Sequence, residues 1–258
     1  MRRAPWLALT ALSGLAACSS SKPRTPEDAK RVTAPADAAI APTDGPPAPK
    51  PPFGDVQVRV EWTNVPPAAR SSPGKTACGT PRAPAVAPTT TWGIPDVIVL
   101  VDGAPGALAE ARVRLVDCSL SPRIAIGSAL LIDSAADRPA QVVLSHRARA
   151  SDLRVEIKSA IPARTIQLPI AGHAVSAKLA DDAVFELTMD KGDPAWIVAA
   201  HAAVTDPSGV VLVREVPPGV HAVRAWLPPR GDQPARHAAG QVTVVDGDLA
   251  ELTLQLVP

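Results

Sequence analysis

Short apolar alternations, each cut off within a few residues by Pro, Gly or Asp, leave this chain few ways to bury a core other than stacked β-sheets. Val56, Val58 and Val60 alternate with Gln57, Arg59 and Glu61, the period of a half-buried strand. Similar pieces recur at Val97–Val101, Ala111–Val116, Ile124–Ile132, Gln141–Ser145, Leu153–Ile157, Thr165–Leu168, Val184–Met189, Trp196–Val204, Val210–Arg214, His221–Leu227, Gln241–Val245 and Leu249–Val257. Helical periodicity is nearly absent, and only Ala107–Arg112 reads as a helical turn. With 30 Pro, no Tyr and two Phe, the core must be built from Val, Leu, Ile and Ala. The expected fold class is all-β, a sandwich of antiparallel sheets.

Before Phe53 the texture is different. Met1-Arg2-Arg3, an apolar run from Pro5 to Leu12 and the stretch Ser13-Gly14-Leu15-Ala16-Ala17-Cys18 resemble the signal and lipobox of bacterial lipoproteins. The competing transmembrane helix is disfavoured because the apolar run falls short of the roughly 20 residues that span a bilayer. The resemblance implies lipid on Cys18 and, because Ser19 is not an aspartate, residence at the outer membrane of the cell envelope. Residues 19–52 are Ser, Lys, Pro, Ala, Asp and Thr with almost no large apolar side chain, the composition of a tether. The expected organisation is a signal at 1–17, a lipidated Cys and tether at 18–52, a sandwich at 53–200 and a smaller β portion at 201–258. Removing residues 1–17 takes away Arg2 and Arg3 and moves the formal charge from +1 to −1. Neither nucleic acid nor an anionic membrane surface is then an electrostatic partner.

Two cysteines follow the anchor, Cys78 and Cys118. In an oxidising compartment such a pair reads as a structural disulfide, the alternative being two unpaired buried thiols. Its loop of about 40 residues would contribute roughly 4 kcal/mol in the chain-entropy picture.

From Asp55 onward the chain resembles a known family. Cys78-Gly79, Asp96-Val97-Ile98-Val99-Leu100-Val101 and Val116-Asp117-Cys118-Ser119-Leu120-Ser121-Pro122-Arg123 look like envelope cupredoxins of the methylamine-utilisation or plastocyanin-like type. Ala203-Val204-Thr205-Asp206-Pro207-Ser208-Gly209, Val216-Pro217-Pro218-Gly219-Val220-His221 and Ala225-Trp226 are similar to a carboxypeptidase-regulatory-like ending. The resemblance implies a cupredoxin-like Greek-key sandwich followed by a small Ig- or transthyretin-like β module. It also implies a place for a copper held by two imidazoles, a thiolate and a weak axial thioether. At the matching positions this chain has Ala140 for the first imidazole and Asp190, Asp193, Pro194 and Trp196 for the second cluster. No cysteine follows Cys118, so the resemblance implies the family's scaffold without its copper set, and no cofactor is expected.

His146, His173 and His201, with Met189, are the substitute ligands that would frame the old pocket, though their spacings match no metal motif. His221 on an alternating strand and His237 in a Pro/Arg-rich loop are weaker candidates. The sequence has no Gly-x-Ser-x-Gly elbow, no His-Glu-x-x-His, no phosphate-cradling Gly-x-x-x-x-Gly-Lys and no dinucleotide fingerprint. Asp181-Asp182 and Asp190/Asp193 read as turn residues rather than an acid–base pair. Trp62, Trp92, Trp196 and Trp226 read as core pieces rather than a sugar-binding face. The expected function is non-catalytic binding or scaffolding at the envelope, with an envelope protein or the cell wall as partner. A copper carrier with substitute ligands and a carbohydrate- or peptidoglycan-binding module are the alternatives.

Overall fold

The computed structural model describes residues 52–257 apart from 73, 77, 80, 83, 85, 87–92, 105, 153–160 and 191. The signal, Cys18, the tether up to residue 51, Trp92 and the strand expected at Leu153–Ile157 lie outside the described residues. The N-terminal strands are β1 (Gly54–Glu61) and β2 (Ile98–Val101), with the four-residue helix α1 (Pro67–Arg70) between them. Next come β3 (Glu110–Val116), β4 (Ser119–Ser121), β5 (Ile124–Ile126), β6 (Ala129–Ser134) and β7 (Ala140–Arg149). They are followed by β8 (Ile161–Leu168), β9 (Val175–Lys178), β10 (Ala183–Thr188) and β11 (Ala195–Ala199). The chain closes with β12 (Ala202–Val204), β13 (Val210–Val216), β14 (Gly219–Leu227), β15 (Arg236–Val244) and β16 (Leu249–Gln255).

These strands form four sheets, ordered β13-β1-β16, β12-β2-β14-β15, β5-β11-β10-β7-β8 and β4-β3-β6-β9. Each buried cluster of side chains sits between two of them. Val56, Val58 and Val60 of β1 meet Val99 and Val101 of β2 and Val223, Ala225 and Leu227 of β14 in the first core. Val113 and Leu115 of β3 and Leu130 and Ile132 of β6 meet Leu144, Phe185, Leu187 and Ile197 in the second. A third cluster, with Ile98, Leu100 and Trp226 on one side and Ile124, Val184, Trp196 and Val198 on the other, joins the two inner sheets back to back. The molecule is thus two sandwiches sharing an apolar seam, an all-β architecture.

The seam explains a sequence texture that alternation does not. Strands β2, β10 and β11 are buried at almost every position, because successive side chains point to opposite faces and both faces are covered. Strands β1 and β3 face solvent on one side and keep a strict alternation of buried and less buried positions.

The chain ends build one sandwich together. Strand β1 pairs antiparallel with β13 and parallel with β16, and β2 lies between β12 and β14. Segment 53–101, grouped with 102–200 in the sequence reading, therefore shares its sheets and core with 202–257, while the second core is drawn entirely from 111–199. Residues Ala48–Pro258 form a single compact unit. The expectation of purely antiparallel sheets is corrected at three places, since β1–β16, β3–β6 and β5–β11 are parallel. Ile124–Ile132, one strand in the sequence reading, is split at Gly127, where a Cβ would lie 2.3 Å from the Ala111 amide nitrogen. The chain passes there from the sheet of β5 to that of β6. Ala107–Arg112 is not helical, because Ala111 turns inward as the first buried residue of β3.

Candidate functional site

Helix α1 leads into a loop that folds back on itself. The Gly79 N–H donates to the Thr76 carbonyl at 2.9 Å, the Arg82 N–H to the Gly74 carbonyl at 2.9 Å, and the Ser72 hydroxyl to the Arg82 carbonyl at 2.6 Å. Opposite it, Asp117 adopts φ +52° in the tight β3–β4 turn, a conformation that Asp tolerates better than most residues. The turn presents Cys118, which is disulfide-bonded to Cys78 with a Cα–Cα distance of 5.8 Å, inside the usual range. The bridge therefore ties the N-terminal segment to the 111–199 sandwich.

A cleft of about 510 Å³ opens beside the disulfide, lined by Cys78, Cys118, Asp137, Ala140 and Met189 among others. Of the positions matched to copper ligands in the sequence, Ala140 lines this cleft, whereas Asp193 and Pro194 line a different pocket. Asp190 is exposed, and Asp193 faces Arg82 at 3.2 Å. Trp196 is fully buried in the seam.

The candidate histidines are spread over separate places. His146 on β7 packs edge-on against Phe185, with ring centroids 5.4 Å apart. His173 lies exposed in the turn between β8 and β9. His201, between β11 and β12, lines a 310 Å³ pocket with Val101, Leu108, Leu212 and Arg214. His221 holds the β14 entry in place, its Nδ1 2.6 Å from the Asp102 carbonyl and its Nε2 2.7 Å from that of Pro217. His237 lines another pocket with Arg224 and Val257. Among the described residues, no group of three or more His, Cys, Asp or Glu is placed to hold a metal ion. Asp182 has φ +54° and accepts from the Ser151 N–H and hydroxyl, both at 2.7 Å, which is turn chemistry. Trp62, Trp196 and Trp226 are all buried, and Arg236 stacks on Trp62 at 3.8 Å.

The sequence reading missed a second pocket at this end, of about 220 Å³, lined by Thr76, Arg82, Ser119, Arg123, Asp193 and Arg230 among others. Arg123 stands at the corner between β4 and β5, where one of its Nη groups donates to the Pro229 carbonyl. Arg230 donates from Nη1 to the Pro84 carbonyl at 2.7 Å and lies 4.0 Å from Asp96. Burial, and then the neighbouring Arg230, push the Arg123 guanidinium down to about 10, against the pull of Asp96 and Asp193. Among the described residues, the Nε atoms of Arg82, Arg123 and Arg230 and the Thr76 hydroxyl are buried without a hydrogen-bond partner. Each of these arginines follows a proline, at Pro81-Arg82, Pro122-Arg123 and Pro229-Arg230. That signal was present in the sequence, but an isolated arginine in a loop ordinarily reads as solvated surface.

Comparison with family models, with curated proteins and with solved structures finds no match to this chain.

Proposed function

We propose that this protein is an outer-membrane lipoprotein whose double sandwich, held off the lipid surface by the residue 19–52 tether, binds or scaffolds a partner rather than catalysing a reaction. The observation that carries this reading is the Cys78–Cys118 bridge, because stable structural disulfides belong to oxidising compartments such as the bacterial envelope. The compartment agrees with the lipobox-like segment ending at Cys18 and with the polar, Pro-rich stretch after it. The sequence resemblance from Asp55 onward adds a cupredoxin-like scaffold to this proposal, with the cleft beside the bridge as the part of its surface in question. That cleft gathers Ala140, Cys118 and Met189, and its two cysteines are bonded to each other instead of offering a thiolate.

The test is to express the full chain in a bacterial envelope, follow incorporation of labelled fatty acid, and fractionate the membranes. Cys18→Ala should abolish labelling and leave an unprocessed precursor, and normal maturation of that variant would refute the assignment. Copper(II) added to the purified chain should give no intense thiolate-to-copper absorption in the visible. Such a band with stoichiometric copper would replace the scaffold reading with an electron carrier.

A further inference from the structure

The Arg82–Arg123–Arg230 pocket has no role in the reading above beyond lying at the same end of the molecule. Its cationic side chains come from separate stretches of chain: Arg82 from the disulfide loop, Arg123 from the β4–β5 corner and Arg230 from the β14–β15 connection. Bringing three guanidiniums together costs free energy unless anions compensate them. Among the described residues the compensation is incomplete, since Asp193 is 3.2 Å from Arg82 and Asp96 is 4.0 Å from Arg230, which leaves three cations facing two carboxylates. The Arg82–Asp193 approach also lacks hydrogen-bond alignment, so the Arg82 Nε keeps no acceptor.

Hydrogen bonding points the same way. Buried donors in folded proteins nearly always have partners, so each orphan beside a cavity needs an explanation, a water or an ion among them. Here the orphans are the Nε atoms of Arg82, Arg123 and Arg230 and the Oγ1 of Thr76, a residue only 8% exposed. Arg123 and Arg230 already spend an Nη group on the Pro229 and Pro84 carbonyls. Those bonds clamp the guanidiniums in place, although a forked arginine edge can hold a carboxylate or a phosphate alike. Single donors arriving from several elements suit an anion with three or four oxygens arranged in space.

We propose that the pocket lined by Thr76, Arg82, Arg123 and Arg230 is a binding site for a tetrahedral oxyanion of the phosphate class, free or as the phosphate group of a larger molecule. This names a ligand chemistry for the binding reading above and rests on it. The two fail separately, because Cys18→Ala removes the lipid anchor without touching the pocket, while loss of phosphate binding leaves lipidation in place.

The experiment is calorimetric titration of the full chain with inorganic phosphate, glycerol phosphate and acetate at matched ionic strength, with chloride as the reference. Saturable binding of one phosphate per chain is expected, with acetate at least tenfold weaker. Glycerol phosphate binding as well as the free ion would show that the pocket accepts an esterified phosphate, and weaker binding would restrict the site to the free ion. Arg82→Gln, on the disulfide loop, should weaken phosphate at least tenfold while the Cys78–Cys118 bridge still forms. Arg230→Gln should do the same, and Thr76→Val should have a smaller effect in the same direction. Phosphate binding no stronger than chloride, acetate binding as well as phosphate, or undiminished binding by a folded Arg82→Gln variant would each overturn the proposal.

Discussion

The two sandwiches of this molecule are built from the same side chains by opposite routes. One takes its core from a continuous stretch, residues 111–199, so its strands meet without help from the chain ends. The other takes its core from residues 56–101 and 211–256, and its β1–β16 pairing joins the first described strand to the last. The second arrangement must close a loop spanning most of the folded chain before its contacts form, at an entropic cost that grows slowly with loop length. The apolar seam between the inner sheets offsets that cost by giving β2 and β14 a surface on which to assemble. The terminal sandwich should therefore depend on the continuous one more than the reverse.

The largest test of that asymmetry is at the seam. Trp196 of β11 and Trp226 of β14 are fully buried and pack edge to face, with centroids 4.9 Å apart. Replacing either by alanine should cost about 3–5 kcal/mol, through lost burial and the cavity left behind. Under Trp226→Ala, hydrogen exchange should show lost protection in β1, β2 and β13–β16 before β7–β11. Equal loss in both sandwiches would make the molecule one cooperative unit and break the comparison.

Next in size is the covalent link between the two regions. Cys78 lies in the segment whose strands belong to the terminal sandwich, and Cys118 follows β3 of the continuous one. Reduction, or Cys78→Ser with Cys118→Ser, should lower stability by about 4 kcal/mol in the chain-entropy picture. Denaturant midpoints measured with and without reductant check this, and labelling of free thiols at both positions in native, unreduced protein would refute the bridge.

How much of this was legible beforehand varies with the physical origin of each feature. Strand β1 announces itself because Val56, Val58 and Val60 face a core and the residues between them do not. The disulfide was legible from compartment and cysteine count. Strands β4 and β9 were missed because Ser119-Leu120-Ser121 and Val175-Ser176-Ala177-Lys178 are too short and polar to show a period. The pairing of β1 with β13 and β16 was invisible, since register at that separation is fixed by packing rather than local propensity. The arginine pocket was invisible for a related reason: Arg82, Arg123 and Arg230 meet only once three separate connections are in place.

A smaller effect is expected at the polar margin of the seam. Glu186 of β10 is paired with Arg147 of β7, whose Nε donates to Oε2 at 2.8 Å, and both side chains are mostly buried. Glu186→Gln would leave Arg147 without its anion in a half-dry place and should cost about 1–3 kcal/mol. Arg147→Met with Glu186→Leu should recover most of that loss, because an apolar pair of similar size removes both charges together. Denaturant melts of the three variants separate the outcomes. If the double variant is as unstable as Glu186→Gln, the pair acts through something other than burial of charge.

The smallest expected effect belongs to the turn between β12 and β13, at the outer edge of the terminal sandwich. The Asp206 Oδ1 accepts from the Ser208 hydroxyl at 2.6 Å and N–H at 2.8 Å, and from the Val210 N–H at 3.0 Å. The Ser208 hydroxyl bond, then the Val210 amide, hold the Asp206 carboxyl below its usual 3.8. A carboxyl lowered in the folded state contributes stability that is fully present above its unfolded value and is lost as pH falls through the folded one. Near neutral pH Asp206→Ala should therefore be less stable than wild type, by under about 1 kcal/mol since the group is exposed to solvent. The difference should shrink as the pH is taken below 3.8. Gly209 sets the stricter limit on the same turn, with φ +79° and a Cβ that would lie 2.4 Å from the Ile94 amide nitrogen. Urea melts of wild type and Asp206→Ala between neutral and strongly acid pH decide the matter. A difference unchanged down to the lowest pH would mean that Asp206 acts through turn geometry alone, and the edge of the terminal sandwich would then owe nothing to charge.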